Sequence, residues 1–260
     1  MPTIDVNGET IHYERAGKGP TLAFLHSLGT NSYLWRRQMS RWSDRFTCVA
    51  FDGRGHGKST NRGGATMQAM AEDAHAALKA LGLLPAHLVG ISMGGLQCAR
   101  FHAIAPADVR SIVYADSFAY LGEAGPARVA ALEQKVRSMS MQDYAVDYMA
   151  TTLLPATPQV DKDALVAAIA GMTADNYIET VKSVFTEDVR EQLKAIRCPT
   201  HVVVGAKDER TPVAAAESVR ALVSGATMKI IPDAAHLANI DNPAGFEAAV
   251  EPFLNQVKKM

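Results

Sequence analysis

The chain has 260 residues, of which 48% are hydrophobic and 20% charged, and this indicates one globular unit with a sizeable core. The formal net charge of −1 argues against nucleic acid or an acidic membrane surface as a partner. The three cysteines lie far apart without metal-ligand spacing, so we expect small core side chains in a reducing compartment. Because neither a signal peptide nor a membrane-spanning run is recognised, we expect a cytoplasmic protein.

Strands alternate with helices in the first 117 residues. Period-2 alternation predicts a hairpin from residues 3–6 and 9–14, since Asn7-Gly8 between them favours a tight turn. Apolar runs predict four further strands, at residues 21–26, 46–51, 87–91 and 109–115. Helical spacing predicts helices at residues 33–42, 67–83 and 93–105. This alternation is typical of a mostly parallel sheet covered on both faces.

The alternation of strands and helices stops between residues 118 and 195, where no convincing strand occurs. Helices are predicted there at residues 126–138, 141–153, 161–169 and 174–185. Alternation then resumes, with strands at residues 200–204 and 227–231 and helices at residues 212–222 and 243–257. We therefore expect an α/β fold with an eight-stranded sheet, built from residues 1–117 and 196–260 and interrupted by a helical cap at 118–195.

The pentapeptide Gly90-Ile91-Ser92-Met93-Gly94 lies between a predicted strand and a predicted helix. In that context Gly-x-Ser-x-Gly is typical of a nucleophile elbow, in which a strained turn exposes the serine hydroxyl at the sheet edge. Glycine is needed two residues before and after Ser92, because side chains there would collide. The helix that follows would direct its amides and its positive dipole end at the same place.

A serine nucleophile needs a base, and the base needs an acid that orients it. His236 follows the last predicted strand, and Asp208 follows the strand before it. The order Ser92, Asp208, His236 is the chain order used with this type of elbow. Asp116, which follows the strand at 109–115, is a second candidate acid. Asp233 is expected to turn the chain, and Asp241 is expected to cap the last helix together with Asn242.

An oxyanion hole requires two hydrogen-bond donors. We expect the backbone N–H of Met93, directly after the nucleophile, and that of Leu28, in the loop after the strand at 21–26, with Ser27 as the alternative. His26 is expected to be a structural histidine of that loop. Arg54 and His56 lie in a glycine-rich loop at a strand end and are likewise expected to be structural.

Nearly the whole chain resembles the α/β-hydrolases, in their branch of enol-lactonases, esterases and perhydrolases. The residues that carry the resemblance are Trp35 and the segments 26–31, 51–59, 90–95, 205–212 and 235–240. The stretches 27–30 and 235–239 resemble 3-oxoadipate enol-lactonases in particular, although the oxyanion loop begins His-Ser instead of the more widespread His-Gly. The resemblance implies the α/β-hydrolase fold and a Ser-His-Asp triad, whereas the cap shows no match.

These observations predict a serine hydrolase that cleaves a small ester or lactone through an acyl-enzyme, without a metal or another cofactor. Hydrolysis of a carbon–carbon bond, cofactor-free perhydrolysis and a slow-turnover ligand sensor are the alternatives. The residues expected to line an apolar pocket are Trp35, Phe118, Tyr120, Met149, Tyr177 and Phe185. No arginine of the cap is expected to bind a substrate carboxylate, which argues against a dicarboxylate-like enol-lactone. The oligomeric state is not indicated.

Overall fold

The computed structural model describes residues 2–258 and contains one eight-stranded sheet in the order β1-β2-β4-β3-β5-β6-β7-β8. The strands are β1 Thr3–Val6, β2 Glu9–Ala16, β3 Thr21–Leu25, β4 Thr47–Phe51, β5 Ala86–Ile91, β6 Val109–Ala115, β7 Thr200–Gly205 and β8 Thr227–Ile231. Only the pairs β1–β2 and β2–β4 are antiparallel. The predicted fold class is therefore confirmed. Residues 1, 259 and 260 of the predicted core segments lie outside the described residues.

The central strands β3, β4, β5 and β7 are buried along their whole length. This explains their apolar sequences, since a parallel sheet with helices on both faces has no solvent-facing side. Because parallel strands run in one direction, the loops after β3, β5, β6, β7 and β8 all emerge at one edge of the sheet. The predicted functional residues of the sheet follow these strands.

Eleven helices are present within residues 2–258: α1 Arg36–Trp42, α2 Met67–Ala80, α3 Met93–Ile104, α4 Ala124–Arg137, α5 Met141–Ala150, α6 Gln159–Ala170, α7 Ala174–Phe185, α8 Arg190–Ala195, α9 Val213–Leu222, α10 Ala238–Asp241 and α11 Pro243–Val257. The short helices α8 and α10 were not predicted. The start of the predicted helix at 33–42 is a 3-10 turn, Ser32–Trp35. Helix α5 ends before residue 153, because the hydroxyls of Thr151 and Thr152 bond back to the Tyr148 carbonyl.

Helices α4 to α8 form a helical segment between β6 and β7. An isolated antiparallel bridge pairs Tyr120 with Asp188 near its two ends, where the sequence predicts no strand. The segment is attached to the sheet region by Asp161, which is completely buried and pairs with both Arg36 and Arg37. A buried carboxylate requires such partners, so this contact fixes α6 against α1.

Candidate active site

Ser92 is the apex of the turn between β5 and α3. Its backbone has φ 54° and ψ −115°, a region that costs a non-glycine residue about 1–3 kcal/mol. A Cβ at Gly90 would overlap the Gly94 carbonyl oxygen, and one at Gly94 would overlap the carbonyl oxygen of Leu25. The Ser117 hydroxyl donates to the Ser92 carbonyl at 2.7 Å. The expected strain and the expected need for both glycines are therefore present.

His236 lies between Ser92 and Asp208. Its Nε2 is 2.9 Å from the Ser92 Oγ, and its Nδ1 is 2.9 and 3.1 Å from the two Asp208 carboxylate oxygens. Because a carboxylate only accepts hydrogen bonds, Nδ1–H is the donor and Nε2 has a free lone pair for the serine proton. All three residues are at least 94% buried, so bulk water does not compete for these bonds.

Asp208 is held by the backbone of its own loop. The N–H groups of Arg210 and Thr211 donate to Oδ1 at 2.8 and 2.9 Å, and the Thr211 hydroxyl donates to Oδ2 at 2.6 Å. Burial by itself raises the pKa of Asp208, but the charge and hydrogen bond of His236 and the bonds from Thr211 together lower the pKa below its ordinary value. The carboxylate is therefore ionised and oriented toward the imidazole.

Asp116, the second candidate acid, bonds to the backbone and not to the imidazole. Its carboxylate oxygens accept from the N–H groups of Gly205 at 2.8 Å and Ala238 at 3.1 Å. Burial, and then the charge of Asp208, raises the pKa of Asp116. Asp116 thus ties the end of β6 to the two loops that carry Asp208 and His236.

Asp233 and Asp241 have different roles from each other. Asp233 has φ 52° and pairs with Lys207, as a chain-turning residue would. Asp241 does not cap α11, and this expectation is wrong: Asn242 alone accepts from the helix, at the Gly245 N–H. Asp241 instead accepts from the Ala235 N–H, beside the histidine, and from the Leu154 N–H of the helical segment.

The amides of Leu28 and Met93 have no acceptor among the described residues. The Met93 amide is free because it starts a helix, and Leu28 lines the same cavity as Ser92. His26 orders the Leu28 loop: its Nδ1 donates to the Ser27 carbonyl at 2.8 Å, and its Nε2 accepts from the Gly53 N–H at 2.8 Å. Within residues 2–258 neither amide is used by the fold, and their role as an oxyanion hole stays a prediction.

The loop after β4 has structural contacts. Arg54 bonds to both Asp73 oxygens at 2.8 Å, and His56 packs on His26 with ring centroids 4.9 Å apart. Burial, and then the neighbouring His26, lowers the pKa of His56 to about 3. Neither side chain lies in the cavity at Ser92.

That cavity lies between the strand ends and the helical segment. Its lining comprises Leu28, Ser92, Phe118, Arg128, Tyr148, Val184, Phe185, Arg210, Thr211 and His236. The aromatic rings of Phe118 and Phe185 stack with centroids 6.5 Å apart. The wall opposite the serine is therefore largely apolar and aromatic.

A sequence profile described as the alpha/beta hydrolase fold matches residues 20–243. The chain belongs to this family. The fold and the resemblance predicted from the motifs are confirmed by this match.

Several proteins similar to this hydrolase are known. It is 28% identical to 3-oxoadipate enol-lactonase 2 of Acinetobacter baylyi over 98% of this chain and 96% of that protein. A solved hydrolase from Pseudomonas aeruginosa PA01 is 30% identical, with a TM-score of 0.87 over 97% of both chains. The enol-lactonase of Burkholderia xenovorans LB400, 24% identical, has the same fold, with a TM-score of 0.89 over 98% of this chain and all of that one.

Four of the six predicted pocket residues of the hydrolase lie elsewhere. Trp35, the last residue of the 3-10 turn, is completely buried and packs in the core against Phe24 and Phe246. Tyr120 is 43% exposed on the outer surface. Met149 is buried among the helices and does not line the cavity.

Tyr177 is also absent from the cavity lining, but it supports the oxyanion loop. A Cβ at Gly29, which has φ +74°, would approach Tyr177 Cε2 to 2.9 Å and Ile169 Cγ1 to 2.8 Å. The Tyr144 hydroxyl donates to that of Tyr177 at 3.1 Å. Gly29 therefore allows the helical segment to pack directly on the loop that carries Leu28.

Five residues of the lining are not predicted from the sequence: Arg128, Tyr148, Val184, Arg210 and Thr211. Arg128 of the helical segment lies in the lining of this cavity, at a place where no arginine of the cap is expected from the sequence. Gly125, one helical turn earlier, packs against the Phe185 carbonyl, and this spacing directs Arg128 toward the same side. A glycine one turn before an arginine was the only sequence signal.

The cavity at Ser92 is small, about 20 Å³, which is room for about one water molecule. A groove of about 740 Å³ lies elsewhere, between β2, α1 and α6, and contains neither Ser92 nor His236. We assign the site by its chemistry and not by its size, because the small cavity contains the predicted nucleophile Ser92 with His236 Nε2 at 2.9 Å.

Residues 2–258 contain neither a cluster of metal-ligating side chains nor a membrane-spanning helix. No group of three or more His, Cys, Asp or Glu side chains there could hold a metal ion. No helix in the same range is both long and apolar enough to cross a membrane.

Proposed function

We propose that this hydrolase cleaves a small carboxylic ester or lactone through an acyl-enzyme on Ser92. The observation that carries the proposal is the continuous hydrogen-bonded line from the Ser92 hydroxyl through His236 to Asp208, with both distances at the imidazole as short as 2.9 Å. Two free amides beside the serine complete the set of groups that acyl transfer requires. The similarity to enol-lactonases supports the ester or lactone bond as the target.

In the first step His236 Nε2 removes the Ser92 proton while Oγ bonds to the substrate carbonyl carbon. The carbonyl oxygen becomes an oxyanion, which accepts from the Leu28 and Met93 amides. When the carbonyl re-forms, the carbon–oxygen bond to the leaving group breaks, and the imidazolium gives its proton to the leaving alkoxide or enolate. Water, deprotonated by the same imidazole, then releases the acid and restores Ser92.

Residues 118–195 act as the cap of this site and residues 1–117 and 196–260 as its catalytic core. The strand-end residues are held by backbone bonds, whereas the opposite wall consists of side chains from α4, α5 and α7. Since the closed cavity admits about one water, substrate enters only when these cap side chains move. The size and shape of the substrate are therefore determined by the cap.

The experiment is turnover of an aryl butyrate by the wild type, Ser92→Ala and Ser117→Ala. We expect Ser92→Ala to lose at least about 10³-fold in kcat. Ser117→Ala is the matched control, because it removes a neighbouring hydroxyl that donates to the Ser92 carbonyl and does not hydrogen-bond to His236, and we expect a loss of less than about tenfold. Comparable activity in Ser92→Ala and the wild type would refute the proposal.

A parallel panel separates the alternatives. We expect aryl esters or lactones to be turned over faster than vinylogous diketones, and water to be the acceptor in place of peroxide. A fluorophosphonate probe should label Ser92 in the wild type and fail to label Ser92→Ala. Tight binding of lactones without turnover would indicate a sensor instead.

A further inference from the structure

Arg128 reaches the cavity with all of its hydrogen-bonding capacity unused. Its guanidinium lies over the Phe185 ring at 5.2 Å, and Phe185 in turn stacks on Phe118. A cation–π contact holds the group in place without using its N–H donors. Within the described part of the chain Arg128 has no ion pair and no hydrogen bond.

Arg210 is a second cation in the same lining. Its guanidinium lies 4.1 Å from the Tyr148 ring centroid, and Nη2 donates to the Tyr148 carbonyl at 3.2 Å and the Thr151 hydroxyl at 2.7 Å. Nε is buried and unpartnered. Arg210 therefore brings a charge that neutral groups orient but do not neutralise.

The lining of the cavity contains both arginines and no acidic residue. Asp208, two residues before Arg210, is already bonded to His236 and to Thr211. Two other arginines of the hydrolase that are largely removed from solvent have acidic partners, Arg54 with Asp73 and Arg100 with Glu187. Two positive charges in one apolar cavity lower the stability of the fold. A bound anion therefore explains the placement of the two arginines better than a contribution to stability does.

We propose that the substrate carries a carboxylate in addition to its ester or lactone carbonyl. Arg128 binds this carboxylate through its free N–H groups, and Arg210 adds a second positive charge. A planar guanidinium matches the two oxygens of a carboxylate, and the apolar wall suits a short hydrocarbon chain between the two ends of the substrate. This inference rests on the proposed function, because it takes the cavity at Ser92 as the substrate site.

The test compares monophenyl glutarate with the phenyl ester of glutaramic acid, which has a neutral amide in place of the carboxylate. We expect wild-type kcat/KM to favour the anionic ester by about 10- to 100-fold. Arg128→Gln should remove most of that preference through a higher KM for the anion, Arg128→Lys should retain part of it, and Arg128→Glu should reverse it. Arg210→Gln should lower the ratio by a smaller factor.

Arg137→Gln is the matched control, since Arg137 ends the same helix but is 54% exposed and pairs with Asp175. This variant should leave the ratio of kcat/KM for the anionic ester to kcat/KM for the amide within about twofold of the wild-type ratio. A wild-type preference for the amide, or an unchanged ratio in Arg128→Gln, would overturn the proposal.

Calorimetric binding of both esters to Ser92→Ala gives a second readout that needs no turnover. We expect the anionic ester to bind more tightly and the addition of Arg128→Gln to abolish the difference. If the esters bind with this selectivity but are not hydrolysed by the wild type, the proposed function fails and the carboxylate site stands. If they are hydrolysed without selectivity, the carboxylate site fails and the proposed function stands.

Discussion

The sheet edge and the helical segment face each other across one small cavity, but they are held in different ways. At the sheet edge, Asp208 accepts from two backbone amides, and Ser92 is fixed by a strained turn that needs glycine on both sides. Across the cavity, side-chain contacts position the residues: Arg128 lies over the Phe185 ring, Phe185 stacks on Phe118, and Tyr148 packs against the Arg210 guanidinium.

In the proposed function, the sheet edge carries out the reaction and the helical segment selects the substrate. Backbone bonds hold the reacting atoms to a fraction of an ångström, as proton transfer requires. Side-chain packing on helices can change with few consequences for the sheet, so the wall is free to differ in charge and shape. The predictions below probe the two regions separately.

The largest expected effect is that of Asp208→Asn, about 10⁴-fold in kcat. An amide presents a donor to the imidazole and disfavours the tautomer that accepts the serine proton. Asp116→Asn should cost less than about tenfold, because that side chain bonds only to Gly205 and Ala238 amides. Steady-state kinetics of both variants checks this, and equal losses would assign the acid role to Asp116.

Next in size is the replacement of an elbow glycine. Gly94→Ala should destabilise the fold by about 3 kcal/mol, because the new Cβ overlaps the Leu25 carbonyl. Gly225→Ala is the control: its φ is +77° but no atom lies within 4 Å of the added Cβ, so only about 1 kcal/mol of backbone strain is expected. Urea unfolding measures both, and a similar cost for the two would argue against crowding at the elbow.

A smaller effect is expected where the two regions are joined by Asp241. One of its carboxylate oxygens accepts from the Leu154 N–H at 3.0 Å and from the Thr157 hydroxyl, and the other accepts from the Ala235 N–H at 2.8 Å. Asp241→Ala should lower the free energy of unfolding by about 2 kcal/mol and also reduce kcat, since Ala235 precedes His236.

Thr157→Val separates the two ends of this link, because it removes one bond on the side of the helical segment only. We expect a loss of stability of about 1 kcal/mol and little change in kcat. A drop in kcat as large as that of Asp241→Ala would show that the helical segment itself positions the histidine.

The smallest effect is a dependence of stability on pH that originates outside the helical segment, since none of the 8 histidines lies in residues 118–195. Burial lowers the pKa of His87 to about 4, and burial together with His26 lowers that of His56 to about 3, both from 6.5. Below pH 6.5 the unfolded chain gains protons that the folded one does not, so stability falls as the pH drops toward these values.

Protonation of His56 changes the free energy of unfolding by at most about 1.4 kcal/mol per pH unit. Urea unfolding of the wild type and of His56→Gln at pH 7, 6 and 5 should show a shallower slope in the variant. Identical slopes would mean that His56 takes up its proton without loss of structure.

Much of the fold and of the sheet edge was predictable because its signals are local. The strands at Thr3–Val6, Val109–Ala115 and Thr227–Ile231 match the prediction residue for residue. Period-2 and buried runs define strands, and glycine spacing defines the elbow. Since parallel strands end at one edge, residues after β5, β7 and β8 meet there whatever their separation in the chain.

The sequence by itself thus determined the sheet, the elbow and the three residues that converge at its edge. Only the tertiary structure decided the cavity wall: it placed Trp35 in the core, Tyr177 behind Gly29 and Arg128 beside Phe185. The physical reason is the distance along the sequence over which each feature is specified. A strand and its turn are specified by neighbouring residues, whereas the face that a helix presents to a cavity depends on side chains that lie far away in the sequence and leave no local pattern.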